Sequence, residues 1–221
     1  MVEEGTLVKQ TQKKVLEYIA KHNYQIGEAL PKEEEFTELL GVSRVVVREA
    51  LSSLRALDIL ETRRKRGTVL KSSNIFNGMQ TIIDSGTLQK NALRDLYELR
   101  LMLEIGMVDF IFMRKTDKDL DKLQAIVDKD ELTLNIEESI RLDILFHSTL
   151  YEISGNDSLK QFQRMLEPLF SVYLPRTRER SIIDHAGLLE ILRFSTPEMF
   201  RAAMRLHLNV QFENMSTIFS E

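Results

Sequence analysis

The stretch from Leu30 to Leu70 limits the fold more than any other part of this sequence. Apolar residues at helical spacing predict a helix over residues 33–40 and a second helix that begins after Ser43. Gly41 stands where a helix C-cap glycine belongs, and Ser43 can serve as the N-cap of the second helix. Two short helices joined by a tight turn are typical of a helix-turn-helix motif.

The second helix has an apolar face and a basic face. Its buried face is predicted to consist of Val47, Ala50, Leu51 and Leu54. Arg44 and Arg48 lie near one stripe on the opposite side. Arginines placed in this way can fork onto guanine edges in the major groove of DNA, so we predict that this is a recognition helix.

A basic hairpin follows the recognition helix. Residues 59–63 and 68–71 read as short strands, and Arg64-Lys65-Arg66-Gly67 joins them as a cationic wing. The arginines could instead form only a solvated helix face, but the order of helix, turn and cationic tip favours DNA binding. We expect DNA contacts from Ser43, Arg44, Val45, Val46, Arg48, Lys65, Arg66 and Gly67.

Four segments of this stretch match a known signature. They are Leu30-Pro31, Glu33, Gly41-Val42-Ser43-Arg44 and Val47-Arg48-Glu49-Ala50-Leu51. Together they resemble the signature of GntR-family transcription regulators, which implies a winged helix-turn-helix fold. Because one recognition helix reads only a few base pairs, we also expect a homodimer that binds a two-fold-related operator in double-stranded DNA.

The sequence departs from the family pattern at three positions. Lys32 stands where the family usually has a small N-cap, and Asp58 stands where it usually has a glycine. Glu34 stands where the family usually has an arginine that touches DNA. A carboxylate there would repel a phosphate, so the operator preferences of the family cannot be carried over whole.

The charge of the chain is unevenly distributed. The 221 residues carry a net charge of −4, but residues 1–73 contain 13 Lys and Arg against 11 Asp and Glu, a net charge of +2. The chain has no Cys, which excludes disulfides and thiolate metal sites and fits a cytoplasmic location. We expect no signal peptide and no membrane-spanning segment, because neither the first ten residues nor any longer window is continuously apolar.

The second part of the chain shows only helical periodicity. Helices are predicted over residues 93–113, 117–130, 136–153, 158–174, 178–194 and 195–218, with Pro175 ending the fourth. We therefore expect a mainly α protein: a winged helix-turn-helix domain over residues 1–73, a linker over residues 74–90 with a short helix, and an all-α antiparallel helical bundle over residues 91–221.

A group of polar residues falls on the inward faces of the predicted bundle. Asp143 and His147 lie four residues apart on an apolar stripe, and His185 and His207 point inward from two other helices. They could be hydrogen-bonded core residues. As a set, three imidazoles and a carboxylate suit zinc, nickel or a similar divalent ion.

The same residues carry a second resemblance. Asp143-x-x-x-His147, His185 within Asp184-His185-Ala186-Gly187, and His207 twenty-two residues later are similar to the metal-binding pattern of the FCD domain, found in the FadR branch of GntR regulators. The resemblance implies one divalent metal, with zinc ahead of nickel and manganese. It also implies that a small carboxylate effector completes the metal coordination.

Arg100 is a further candidate for the effector site. It falls on the inward side of the first bundle helix, where a guanidinium could fork onto an effector carboxylate. The alternative is an ion pair with Glu104, one turn later.

The sequence lacks several common enzyme motifs. It contains no HExxH, no Gly-rich phosphate loop and no Gly-x-Ser-x-Gly. We therefore expect a regulator, by analogy a repressor, rather than an enzyme. Two alternatives stay open, namely a regulator for which the ion itself is the signal, and a metal-dependent enzyme fused to a DNA-binding domain.

Overall fold

The computed structural model describes residues 6–72, 76–173 and 181–218. These residues form twelve helices and one two-stranded sheet. The chain divides into two compact units, residues 1–78 and residues 79–221. The predicted fold class, a winged helix-turn-helix followed by an all-helical domain, is confirmed. None of the helices within the described ranges has the length and apolar character needed to cross a membrane.

The first unit contains three helices and a hairpin. They are α1 (Leu7–Lys21), α2 (Glu33–Leu40), α3 (Arg44–Ala56), β1 (Leu60–Arg63) and β2 (Gly67–Leu70). The strands are antiparallel, with Leu60 opposite Leu70 and Arg63 opposite Gly67. Ala29 forms an isolated bridge to Val69. The hairpin therefore joins the chain that precedes α2 as well as the end of α3.

The turn between α2 and α3 forms as its sequence predicts. Gly41 has a φ angle of 64°, the left-handed conformation that glycine adopts at a helix C-terminus. Ser43 caps α3 by accepting a hydrogen bond from the backbone N–H of Val46 at 3.4 Å. The buried face of α3 consists of the four predicted residues, Val47, Ala50, Leu51 and Leu54.

Helical spacing predicts Leu16 on the apolar face of α1 and Leu39 on that of α2, and both predictions were wrong. Leu16 is 38% exposed and Leu39 is 56% exposed. Both helices bury a single narrow stripe, which on α1 includes Thr11 instead of Leu16. Thr11 can be buried because its hydroxyl donates a hydrogen bond to the carbonyl of Leu7 at 2.8 Å.

The second unit consists of nine of the described helices. They are α4 (Asn77–Asp84), α5 (Lys90–Gly106), α6 (Val108–Arg114), α7 (Asp117–Leu132), α8 (Ile136–Ile153), α9 (Asp157–Tyr173), α10 (His185–Phe194), α11 (Pro197–His207) and α12 (Asn209–Ile218). Helix α8 packs against α7 and α9, while α10 packs against α7 and α11. Helix α5 contacts α9 and α11. Helices α7, α8, α10 and α11 are thus linked by direct packing.

The first predicted bundle helix is two helices. The predicted helix over residues 93–113 divides at Met107, directly after Gly106, the residue with the weakest helix preference in that stretch. Helical spacing also predicts that Leu99 and Phe110 face inward, which was wrong, since Leu99 is 41% and Phe110 is 46% exposed. Helix α5 instead buries a mixed polar and apolar stripe of Tyr97, Arg100, Leu101 and Glu104.

The last predicted helices also differ from the prediction. Helix α10 begins at His185, because the side chain of Asp184 caps it by accepting from the N–H of Gly187 at 2.9 Å. The helix predicted over residues 195–218 divides at Leu208, and Thr196 rather than Ser195 is its N-cap. The predicted end at Pro175 and the predicted start at residue 178 lie outside the described residues.

We expect Leu51→Ala and Leu39→Ala to separate the buried stripe of the first unit from its exposed surface. Leu51 is fully buried, so its truncation should lower the free energy of unfolding by about 2–5 kcal/mol. The matched control Leu39→Ala should change it by less than about 0.5 kcal/mol. Urea denaturation followed by circular dichroism measures both, and equal losses would contradict the assigned core.

Candidate metal centre and DNA-contacting face

The four predicted metal ligands lie together inside the second unit. One ligand atom from each of Asp143, His147, His185 and His207 lies within 4.8 Å of all the others. Asp143 and His147 are one turn apart on α8, His185 is the first residue of α10, and His207 is the last residue of α11. Residues far apart in the sequence are thus brought together by three helices.

The positions of the two later histidines are set by local structure. The cap at Asp184 fixes where α10 begins, and the His185 ring stacks on Phe146 with centroids 4.3 Å apart. The His207 Nδ1 lies 2.8 Å from the carbonyl oxygen of Ile183, to which it donates. The non-helical residues before α10 therefore orient both rings.

The tautomers of His147 and His207 follow from their neighbours. His147 Nδ1 lies 2.6 Å from Glu104 Oε2. A carboxylate would repel a nitrogen lone pair, so this Nδ1 carries the proton, as does that of His207 beside the Ile183 carbonyl. The two Nε2 atoms face each other at 3.2 Å, so either one of them carries a further proton and donates to the other, or both present lone pairs.

A bound cation would suit this arrangement when both rings are neutral. Burial, followed by the charges of His185 and His147, lowers the pKa of His207 to about 3, so the Nε2 of His207 keeps its lone pair. Two nitrogens bound to one ion at about 2.0–2.1 Å lie roughly 3.0–3.4 Å apart, depending on the bond angle. The separation of 3.2 Å between the two Nε2 atoms falls within this range.

Asp143 and His185 complete the site on its more exposed side. His185 Nε2 lies 3.3 Å from Asp143 Oδ1, and neither His185 Nε2 nor Asp143 Oδ2 has a hydrogen-bond partner within the described part of the chain. Buried polar atoms are normally hydrogen-bonded, so two atoms without such a partner in one group of possible ligands are compatible with a bound ion. The side chains are 23% and 11% exposed, which leaves a route to solvent.

Carboxylates control the charge at this end of the site. Burial lowers the pKa of His185, but Asp130 and Asp143 outweigh it and raise that pKa to about 9. Burial likewise raises the pKa of Asp143, but His185 and His147 hold it well below its usual range. A bound metal ion would displace the His185 proton, because a ligating imidazole must be neutral.

Two acidic residues support the ligands without belonging to the predicted set. Glu104 Oε1 accepts from Arg100 Nε at 2.6 Å while Oε2 contacts His147, and all three side chains are buried. Asp130 Oδ2 lies 3.9 Å from His185 Nδ1 and Asp130 Oδ1 accepts from Ser139 at 2.7 Å. The sequence offered one signal for Glu104, an Arg–Glu pair four apart within an inward stripe. None marked Asp130.

Arg100 takes part in the ion pair that was its alternative interpretation. Although burial raises the pKa of Glu104, Arg100 and His147 outweigh it and lower that pKa to about 2, so the carboxylate is charged. Arg100 thus reaches the candidate site through Glu104. Its direct contact with an effector stays a prediction.

The eight predicted DNA-contacting residues lie on one side of the turn and at the hairpin tip. Arg44, Val45 and Arg48 are exposed on α3, Val46 is half-buried and Ser43 is the N-cap. Lys65, Arg66 and Gly67 are exposed at the wing, where Lys65 and Gly67 have φ angles of 67° and 76°. These positive angles close the turn between the strands.

Two ion pairs on this face were not predicted. Arg44 Nη2 lies 3.0 Å from Glu34 Oε1, and Arg48 Nε lies 3.2 Å from Glu33 Oε2. The acidic first turn of α2 therefore contacts the basic face of α3.

Family comparisons decide the class of this protein. Residues 7–70 match the family model of bacterial regulatory proteins of the gntR family, and residues 95–210, just over half of the chain, match that of the FCD domain. The chain is a GntR-family regulator with an FCD domain. This assignment agrees with the resemblances of both halves and with the regulator, rather than the enzyme, expected from the sequence.

Individual GntR-family proteins resemble the chain over most of its length. The HTH-type transcriptional regulator LutR of Bacillus subtilis is 27% identical over 207 residues, covering 88% of this chain and 94% of LutR. The HTH-type transcriptional repressor NanR of Cronobacter sakazakii is 24% identical, covering 88% of this chain and 79% of its own. The structure of Streptococcus agalactiae GntR matches with a TM-score of 0.62 and 28% identity, covering 94% and 99% of the two chains.

The GntR-family departure at position 58 has a structural explanation. Asp58 has a φ angle of 61°, in the left-handed region that glycine adopts without strain and that Asp tolerates better than most residues. Its carboxylate also pairs with Lys71, just after β2. The chain therefore keeps the backbone turn without the glycine.

We expect Glu104→Gln to destabilise the metal-free protein strongly, because it leaves the buried Arg100 without its charged partner. Breaking a buried pair costs about 3–5 kcal/mol, measured here as the free energy of unfolding in urea with chelator present. Glu98→Gln is the matched control, since Glu98 forms the same i,i+4 pair with Arg94 on α5 but at an exposed site. It should cost at most about 1 kcal/mol, and equal losses would refute the structural role of Glu104.

Proposed function

We propose that this GntR-family protein is a repressor whose helical unit binds one divalent metal ion and a small carboxylate effector. Effector binding would then weaken binding to a two-fold-related operator. The observation that carries the proposal is the pair of Nε2 atoms of His147 and His207, which face each other at 3.2 Å beside a carboxylate and a third imidazole. A metal ion bound between them would use both lone pairs, and a hydrogen bond between the two rings is the alternative that metal analysis tests.

The proposal divides the work between the two parts of the chain. Residues 1–73 bind DNA, residues 91–221 bind the effector and form the homodimer, and residues 74–90 connect them. A homodimer supplies two recognition helices, and the symmetry of the operator mirrors that of the protein. NanR is named a transcriptional repressor, which supports repression as the sign of regulation. A regulator of a bacterial chromosome works in the cytoplasm.

The donor set favours zinc ahead of nickel and manganese. Three imidazoles and one carboxylate are ligands that zinc and nickel prefer. When bound, the ion supplies a Lewis acid that can hold an effector carboxylate oxygen. With the ion bound, His147, His185 and His207 would present nitrogen lone pairs, Asp143 would supply the anionic oxygen, and Glu104 would keep the proton of His147 on Nδ1.

Arg100 is the proposed second anchor for the effector. Its contact with Glu104 uses Nε, whereas a guanidinium carries five N–H donors in a fixed fork. A carboxylate effector near the ion would be drawn to this charge. Because Glu104 contacts both Arg100 and His147, it would also transmit movement of one to the other.

We expect protein purified without chelator to hold about one equivalent of divalent metal per chain. His147→Ala and His185→Ala should lose it, because each removes an imidazole ligand. His22→Ala is the matched control, since His22 ends α1 in the first unit and should leave the metal content unchanged. Chelation should also lower the melting temperature, because an ion bound only by the folded state stabilises it. Elemental analysis and thermal scanning measure these effects.

A metal content below about a tenth of an equivalent, with no uptake of added zinc, nickel or manganese, would contradict the metal site. The four residues would then be hydrogen-bonded core groups. Operator affinity measured with metal, with and without acetate or citrate as probe carboxylates, separates the two regulator hypotheses. A response to metal alone would show that the ion itself is the signal.

We expect Arg44→Ala to weaken binding to the selected operator by about 1–3 kcal/mol while leaving random-sequence DNA much less affected, because Arg44 is proposed to fork onto a guanine. Lys65→Ala is the contrasting variant at the wing. It should weaken binding to all sequences similarly and reduce the salt slope by about one. Fluorescence anisotropy over a range of salt measures both. Normal operator affinity for Arg44→Ala would exclude its role in recognition.

A further inference from the structure

Five cations at the predicted DNA-contacting face fall into two groups. Arg44 and Arg48 on α3 each contact a carboxylate of α2, at 3.0 and 3.2 Å. The wing cations Arg64, Lys65 and Arg66 are exposed, and none of them pairs with a carboxylate among residues 6–72. The wing cations are therefore available to phosphates, whereas Arg44 and Arg48 of the recognition helix form internal ion pairs.

The internal pairs are accessible to solvent and to DNA. The side chain of Arg44 is 66% exposed and that of Glu34 is 62% exposed. Arg48 is 71% exposed and Glu33 is 34% exposed. Ion pairs this exposed are weak, so a DNA group can displace the glutamate from its arginine or share the arginine with it. The pairs therefore bias the positions of the arginines but do not fix them.

We propose that Glu34, with Glu33 beside it, is a specificity-determining residue that acts through its ion pair with Arg44 to penalise contacts with phosphate relative to contacts with base edges. The proposal rests on the proposed function only in that Arg44 and Arg48 face DNA. Glu34 is a positioning residue for Arg44 and a competitor of the DNA backbone.

The discrimination follows from charge. A phosphate that approaches Arg44 must also approach the Glu34 carboxylate 3.0 Å away, and like charges repel. A guanine edge is uncharged, so it meets no such repulsion. The contact with Glu34 uses Nη2 of Arg44, and a guanidinium has five N–H donors, so a fork onto a base can coexist with the pair. The penalty therefore falls mainly on non-specific binding.

The test compares Glu34→Gln with Glu38→Gln in the full-length chain. Both variants remove one negative charge from α2, and Glu38 lies one turn further along the same helix, exposed and without an ion pair in the described first unit. The probes are a random-sequence duplex and an operator selected from a random library with the wild-type protein. Fluorescence anisotropy gives the affinity for each over a range of salt.

Glu34→Gln should raise the affinity for the random duplex about twofold to fivefold more than Glu38→Gln does, which is the scale of one exposed ion pair. It should raise operator affinity less, so the ratio of specific to non-specific affinity falls. In an Arg44→Ala background the effect of Glu34→Gln should shrink to that of Glu38→Gln, because the partner through which Glu34 acts is gone.

Two results would overturn the proposal. Indistinguishable effects of Glu34→Gln and Glu38→Gln would show only a general charge effect. A Glu34 effect that persists in the Arg44→Ala background would show that Glu34 acts on DNA directly. Failure of the proposed function is a separate outcome, since wild-type protein would then yield no selected operator, or Arg44→Ala alone would leave operator affinity unchanged.

Discussion

The facing Nε2 atoms of His147 and His207 are the constraint around which the interior of the helical unit is organised. The Nδ1 side of each ring contacts an acceptor, the Glu104 carboxylate for His147 and the Ile183 carbonyl for His207. With both Nδ1 protons held in this way, the two Nε2 atoms can be satisfied either by one further proton between them or by a positive ion. A bound ion would also engage Asp143 and His185. The stability of this unit should thus depend on what occupies the site.

The supporting residues come from more helices than the ligands do. The four ligands lie on α8, α10 and α11, whereas Glu104 and Asp130 extend the site to α5 and α7. A small displacement at the ion can therefore be felt by five helices that already pack against one another. Outer partners of this kind commonly matter to metal affinity almost as much as the ligands. A sensor must transmit a structural change from its binding site to other parts of the protein, and contacts with five helices are suited to that.

Periodicity and spacing predicted the fold class, the helix-turn-helix with its wing, and the four residues that meet in the interior. These patterns failed where the buried side chains are polar or charged. Arg100 and Glu104 are buried because each neutralises the other, so an apolar pattern placed Leu99 and Phe110 inward instead. The start of α10 depended on the Asp184 cap, and the role of Asp130 depended on packing between helices that are distant in sequence. Local patterns do not contain such long-range contacts.

The chain uses acidic residues in two physically different ways. Glu104 is fully buried, so its charge interacts strongly with Arg100 and His147 and removing it leaves an uncompensated cation. Glu34 is mostly exposed, so water and salt weaken its hold on Arg44 to the scale of thermal energy. The first arrangement can define a structure, and the second can only bias an equilibrium. A carboxylate of the second kind is suited to adjusting DNA affinity, because a change in its environment alters binding without disturbing the fold.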